Sequence, residues 1–252
     1  MALNLHSFLT RAHALFRQLW GMSIRTLLFT LVLSMPAWVG AQTSSSLETL
    51  TQTMQSLAAK ASSIEPERRT ELDDLAAWIA PREASDLVFI CTHNSRRSHM
   101  AQAWASAGAA FHGVEGVRSW SGGTEATACN PRTVAALTRA GFAIAVQDAE
   151  TANPTYAVTF ADGEEPLLCF SKVYSDGRNP QEGFAVVMTC SDADQGCPLV
   201  HGAAARFATP YVDPKVSDGT EQEAATYDER CLQIGTEMLY VMAKVVRLRQ
   251  AK

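Results

Sequence analysis

The chain has 252 residues, 47% of them hydrophobic, with 21 lysines and arginines against 26 aspartates and glutamates, a formal net charge of −5. That length holds one large or two small domains with a sizeable core. The mild acidity excludes a nucleic-acid binder built on a basic surface, and no long charge block marks a solvated tail.

The N-terminus reads as a secretory signal. Arg11, Arg17 and Arg25 precede an apolar run at 26–38, and Val39, Gly40 and Ala41 supply small residues before Gln42. The apolar run is short for a membrane span, which predicts cleavage of 1–41, export to the periplasm and no stable membrane span afterwards. An uncleaved anchor is the alternative, and Met22 is a more ordinary start for such a signal than Met1. Residues 42–83 predict a helical prefix. Leu47, Leu50, Met54 and Leu57 recur at helical spacing after the polar cluster 44–46, and Leu72, Leu75, Ala76 and Ile79 form a second stripe ended by Pro81. The prefix is either a helical hairpin packed on the domain C-terminal to it or a solvated spacer.

From residue 84 to the end, strand and helix patterns alternate, which predicts an α/β domain with a parallel sheet. Strands are expected near 86–91, 116–121, 184–190 and 206–211, and helices near 97–110, 131–141 and 222–248. The last helix carries Tyr227, Cys231, Ile234, Met238, Met242 and Val245 toward one face, the pattern of a core stripe. Two β-rich runs, 156–160 and 167–173, flank Asp162-Gly163 and predict a β-hairpin that extends the sheet edge or covers the mouth of a site.

The chemistry concentrates at 88–98, Val-Phe-Ile-Cys-Thr-His-Asn-Ser-Arg-Arg-Ser. An apolar strand would deliver Cys91 to the tip of a sheet, and the backbone N–H groups of 92–97 can curl into an anion-binding nest at the start of the next helix. The positive helix end favours the thiolate, the nucleophilic form. Arg97 offers a planar fork of donors to two oxyanion oxygens, and the Ser98 hydroxyl can bond the thiolate or the leaving group.

These residues, with Trp-Ser-Gly-Gly-Thr-Glu-Ala at 120–126, Asn130-Pro131, Cys-Ser-Asp-Ala-Asp-Gln-Gly-Cys-Pro at 190–198 and Tyr-Val-Asp-Pro at 211–214, resemble the low-molecular-weight protein tyrosine phosphatases and the thioredoxin-coupled arsenate reductases of the same fold. The resemblance runs from Asp86 to the C-terminus, with an insertion around 147–181. It implies a four-stranded parallel sheet flanked by helices and an oxyanion loop made of Thr92, His93, Asn94, Ser95, Arg96 and Arg97. It also implies Cys91 as nucleophile, Asp213 as general acid, and loop support from a left-handed Asn94 braced by Ser121, which is otherwise an ordinary strand-end serine. Nothing calls for a metal or an organic cofactor.

The chain departs from those relatives in three places. His93 stands where phosphatases usually have glycine; it either narrows the mouth or simply faces solvent. Arg96 replaces a second loop cysteine found in many relatives and makes the mouth electropositive. Lys215 comes directly after Asp213-Pro214 where phosphotyrosine enzymes favour an aromatic, which weakens the case for a phosphotyrosine substrate.

Of six cysteines, Cys129, Cys169 and Cys231 read as buried thiols. In the reductases the resemblance assigns a relay to Cys91, Cys190 and Cys197, with a mobile segment between the last two and a thioredoxin-like reductant as partner. Two functions are implied. One is arsenate reduction; the other is an exported phosphomonoesterase, acting on a small phosphomonoester or a phosphoprotein, in which Cys190 and Cys197 are a structural pair. A phosphate-binding protein without turnover is a third reading, opposed by the retention of Cys91 and Asp213.

Overall fold

The structure is a computed structural model that describes residues 37–196 and 199–251. Most of the expected signal segment, residues 1–36, lies outside the described residues, and so does Cys197. The chain divides into two units, Met1–Thr43 and Ser44–Lys252. The first is described only as the opening turns of helix α1 (Ala37–Ala59). The second holds both sheets and the Cys91 loop. Among the described residues no helix is long and apolar enough to cross a membrane.

The centre of the second unit is strand β1 (Ser85–Cys91), which pairs in parallel with β2 (Val117–Gly123) on one side and β6 (Phe184–Met188) on the other. Strand β7 (Ala203–Ala208) completes a four-stranded parallel sheet of order β2-β1-β6-β7. Leu87, Val88, Phe89 and Ile90 are all essentially inaccessible, as a strand covered on both faces requires. Strand β7 ends three residues before the expected position, because Thr209 and Pro210 come next and proline cannot donate to the ladder.

Helices α3 (Arg97–His112) and α6 (Glu223–Gln250) pack together over one face of the sheet, and α4 (Pro131–Ala140) lies against α6. The stripe anticipated on the last helix is wholly buried, from Tyr227 through Val245. Trp104 of α3 is inaccessible and meets Phe142 edge-on at 5.0 Å between ring centroids.

The prefix belongs to this core. Leu50 and Leu57 of α1, and Leu72, Leu75 and Ile79 of α2 (Pro66–Ile79), are at most 3% exposed. Each such burial is worth about 1.5–3 kcal/mol, too much for a solvated spacer. Helix α1 docks through a close backbone approach: Gly141, in the left-handed region at φ 108°, would place a Cβ 2.3 Å from the Leu50 nitrogen. Helix α2 lies along α6.

The expected hairpin forms from β4 (Tyr156–Thr159) and β5 (Leu167–Cys169), antiparallel. A strand the sequence pattern did not reveal, β3 (Ala143–Val146), joins it in a separate three-stranded sheet of order β3-β4-β5. The chain leaving that sheet then lies along the end of β2. The Gly123 N–H donates to the Lys172 carbonyl and the Tyr174 N–H donates to the Gly123 carbonyl, both at 2.9 Å. The insertion thus meets the main sheet where β2 ends beside the Cys91 loop.

Candidate functional site

Strand β1 carries Cys91 to its C-terminal end, and α3 begins six residues later at Arg97. The loop between them turns its carbonyls outward. The Thr92 carbonyl accepts from the Glu125 N–H at 2.8 Å, the His93 carbonyl from the Ser171 hydroxyl at 2.8 Å, and the Ser95 carbonyl from the Asn130 N–H at 3.0 Å. Among the described residues the amide N–H groups of 92–96 donate no hydrogen bond. A loop with its carbonyls anchored outside and its donors uncommitted is an anion nest.

Asn94 gives the loop its shape. It is the one described non-glycine residue at positive φ, 45°, a conformation asparagine tolerates better than most. The expected brace by Ser121 is not what holds it. The Asn94 Oδ1 accepts from the Lys172 backbone N–H at 2.9 Å, and its Nδ2 donates to Ser98 Oγ at 2.9 Å. Ser121 instead meets His99 Nδ1 at 3.2 Å. The insertion supplies the partner instead, through the Lys172 backbone. Gly123 makes this possible: a Cβ there would sit 2.7 Å from both the Asn94 nitrogen and the Thr92 oxygen.

Ser98 lies 3.1 Å from Cys91 Sγ and is fully buried. With Asn94 donating to its oxygen, the Ser98 proton is left to donate to the sulfur. The N-terminus of α3 adds its positive end.

Arg97 is 8% exposed and reaches Asp213: its Nη2 donates to Asp213 Oδ2 at 2.8 Å and its Nη1 to the Tyr211 carbonyl at 2.9 Å. Asp213 also caps the 3-10 turn Pro214–Ser217 by accepting from the Lys215 N–H. The Cys91 loop and the Asp213 loop are therefore locked to one another. Arg96 does not stand free at the mouth as its sequence context implied. It lies within 3.8 Å of Asp213 and 3.5 Å of Asp218, and its Nε donates to the Tyr227 hydroxyl. Burial first, then the bond to Asp218, holds the Tyr227 phenol up at about 12, so it is a neutral partner. His93 is half exposed at the rim, 3.6 Å from Glu125. Beside Lys215 the surface presents Val212 and Val216, 63% and 72% exposed, apolar but not aromatic.

Cys190 comes just after β6, the strand next to β1, and Ile90 pairs with Met188 in that register. The two thiols thus emerge from neighbouring strands at the same end of the sheet. Cys190 is inaccessible, unpaired by any disulfide, and 3.6 Å from the Thr92 hydroxyl. Its sulfur accepts from the Ala193 N–H in the short helix α5 (Ser191–Gly196), so the segment expected to be mobile is helical here. Cys129, Cys169 and Cys231 are buried free thiols, as anticipated. Burial pushes Cys169 and Cys231 up to about 12 and Cys129 well above the usual range.

Sequence reasoning missed Lys172, Tyr227, Asp218, Glu237 and Arg68. The first acts through its backbone, which leaves no side-chain signature. The Tyr211 hydroxyl donates to Glu237 at 2.8 Å, and Arg68 of α2 donates twice to that same carboxylate oxygen. The prefix is therefore tied to the loop that carries Asp213.

A family profile described as low molecular weight phosphotyrosine protein phosphatase matches residues 86–169. An arsenate reductase of Bacillus licheniformis is 27% identical over 144 residues, 57% of this chain and 84% of that protein. Arsenate reductase 2 of Staphylococcus epidermidis is 30% identical over 128 residues, 51% of this chain and 77% of that protein. The solution structure of a low molecular weight protein tyrosine phosphatase from Bacillus subtilis aligns with a TM-score of 0.43 at 17% identity, covering 64% of this chain and 97% of that one. With a cysteine at a strand tip, a nest of donors around it and the 30% identical reductase of Staphylococcus epidermidis, the chain belongs to the low-molecular-weight protein tyrosine phosphatase superfamily, as a cysteine-dependent oxyanion enzyme of either its phosphatase or its arsenate reductase kind.

Proposed function

We propose that the protein is an exported arsenate reductase that works by a thiol relay. The observation that carries this reading is Cys190, a free thiol two residues past the end of the strand beside β1 and in contact with Thr92 of the Cys91 loop. The Cys91 thiolate attacks arsenate while the 92–96 amides and Arg97 hold its oxygens, and Asp213 protonates the departing oxygen as water leaves. The Cys190 thiolate then attacks the Cys91 sulfur. The sulfur–arsenic bond breaks, its electron pair leaves with arsenic as arsenite, and a Cys91–Cys190 disulfide forms. Cys197 attacks Cys190, frees the Cys91 thiolate and leaves a Cys190–Cys197 disulfide for a dithiol of the thioredoxin class. Because α5 is built on the Cys190 sulfur, the relay requires this single turn and a half to unwind.

A second reading has one observation in its favour. Asp213 is already placed against Arg97, which is all that phosphomonoester hydrolysis needs besides Cys91. The same protein tests both. Arsenate-dependent oxidation of reduced thioredoxin is compared with hydrolysis of p-nitrophenyl phosphate, in wild type and Cys190→Ser. Under the relay, Cys190→Ser stops arsenate turnover after at most one event and leaves phosphate ester hydrolysis within about threefold of wild type. No arsenate turnover in wild type, or a stability loss of a few kcal/mol in Cys190→Ser without selectivity, establishes the phosphatase instead. Export rests on the arginine-rich, apolar and small-residue order of 1–41. N-terminal sequencing of periplasmic protein should begin at Gln42; a full-length, membrane-bound chain would point to an anchor.

A further inference from the structure

The insertion does more than brace the loop. Between its hairpin and the wall formed by β2 and α3 lies a cavity of about 500 Å³. Its walls are largely apolar, with Val117 and Trp120 on one side and Phe160, Leu167, Leu168 and Phe170 on the other. Lys172 lines the same cavity and is only 5% exposed. Its ammonium sits 4.6 Å from the centroid of the Phe170 ring and makes no hydrogen bond or ion pair among the described residues.

The other charges around the cavity do not serve Lys172. Arg178 is paired with Asp176 at 2.8 Å, and Arg118 with Asp86 at 2.7 Å. Glu164 and Glu165 line the cavity from exposed positions on the hairpin turn. A buried ammonium without a direct ion pair is unfavourable; burial draws the Lys172 pKa below the usual lysine value, against the pull of Cys169 and Asp176 and with a smaller push from Arg178. One buried cation at the end of an apolar chamber of drug-ligand size matches one ligand chemistry. We propose that this cavity is a second binding site, for a small organic monoanion whose carboxylate or sulfonate pairs with Lys172 and whose apolar body lies against Trp120, Phe160 and Phe170. A phosphate ester would bring a second charge and a larger hydration shell into a chamber with one cation, so the site is chemically distinct from the nest around Cys91. The two are neighbours, because the backbone N–H of Lys172 holds Asn94.

The test uses the mature protein and the fluorescent aromatic sulfonate 8-anilinonaphthalene-1-sulfonate, with no assay of turnover. Wild type binds the probe saturably at one site. Decanoate displaces it at least tenfold better than decanol, and saturating inorganic phosphate does not displace it. Lys172→Met, which keeps the backbone N–H, weakens probe binding at least tenfold. Leu168→Glu, at a half-exposed position of the lining, does the same by adding a negative charge, and carries the test if Lys172→Met does not fold. Unsaturable binding, affinity unchanged in Leu168→Glu, equal displacement by decanol, or displacement by phosphate overturns the proposal.

Discussion

Replacing Glu237 with glutamine tests the link between the prefix and the acid loop. Glu237 is 3% exposed, and its Oε2 accepts from Arg68 Nε at 3.0 Å, Arg68 Nη2 at 2.8 Å and the Tyr211 hydroxyl at 2.8 Å. The Arg68 guanidinium also lies over the Tyr211 ring, 4.8 Å from its centroid. Removing one partner of a buried pair costs about 3–5 kcal/mol, because the other charge is left uncompensated. Glutamine keeps a neutral acceptor in the same place, which lowers the expected loss to about 2–3 kcal/mol. For a unit of this size that is a fall in Tm of about 5–10 °C. Urea denaturation of wild type, Glu237→Gln, Arg68→Met and the double variant gives the coupling directly, expected at about 1–2 kcal/mol. Tyr211 also supplies the carbonyl that holds Arg97 Nη1, so kcat for p-nitrophenyl phosphate should fall several-fold in Glu237→Gln. A stability loss below about 0.5 kcal/mol, the range of an ordinary surface substitution, or zero coupling in the cycle, would refute the idea that the prefix sets the acid loop.

His99 makes stability depend on pH. Full burial, with the charge of Lys172 adding to it, lowers its pKa from 6.5 to about 3. The unfolded chain therefore takes up a proton near 6.5 that the native protein refuses, so stability is full above that pH and declines as pH falls toward 3, by about 1.4 kcal/mol per pH unit. Urea midpoints between pH 6.5 and 5, where carboxylates still carry charge, should show this slope in wild type and lose it in His99→Gln; equal slopes would show that His99 charges freely. Cys91→Ser should abolish turnover of phosphate esters and arsenate alike while the protein stays folded, and Arg97→Lys should lower kcat at least about 100-fold, since an ammonium cannot reproduce the fork. Near-normal turnover in either would mean a different nucleophile or clamp. Asp213→Asn should slow hydrolysis by about 10²–10⁴ for poor leaving groups and far less for p-nitrophenolate. A uniform loss across a leaving-group series would mark Asp213 as structural.

The parts of this molecule that the sequence displays are those whose cause is local. The apolar run before Cys91, the stripe of the last helix, and the Asp162-Gly163 turn each depend on neighbours a few residues away, and each appears close to its expected bounds. What stayed hidden depends on distant partners. Arg96 reads as a free cation until Tyr227, 131 positions on, is seen to accept its hydrogen bond. Strand β3 is a four-residue run, Ala-Ile-Ala-Val, too short for periodicity to separate strand from loop, and it exists because β4 pairs with it. The brace of Asn94 was assigned to Ser121 by resemblance, and the insertion supplied a different one. The prefix patterns gave helices at 47–57 and 72–79, but no pattern in them reveals that Arg68 ends on the residue that fixes Tyr211.

The backbone bond from Lys172 to Asn94 spans 78 residues, and this separation has a consequence for how the protein comes to life. Strand β1, the loop and α3 leave the ribosome early, with the cysteine, both arginines and Ser98 in hand. The left-handed turn at Asn94 has only its local bond to Ser98 until the insertion has been made and has docked on Gly123, and the Arg97 guanidinium has no partner until Tyr211 and Asp213 arrive still later. Contacts of such long range form after local ones, since the chain between them must first be closed. The oxyanion nest is thus among the last pieces of the fold to set, and a chain stopped after Cys169 carries the whole nucleophile motif without the frame that shapes it. Were the chain exported unfolded, Cys91 would cross with its nest still unformed, and the pocket would first close on the far side of the membrane.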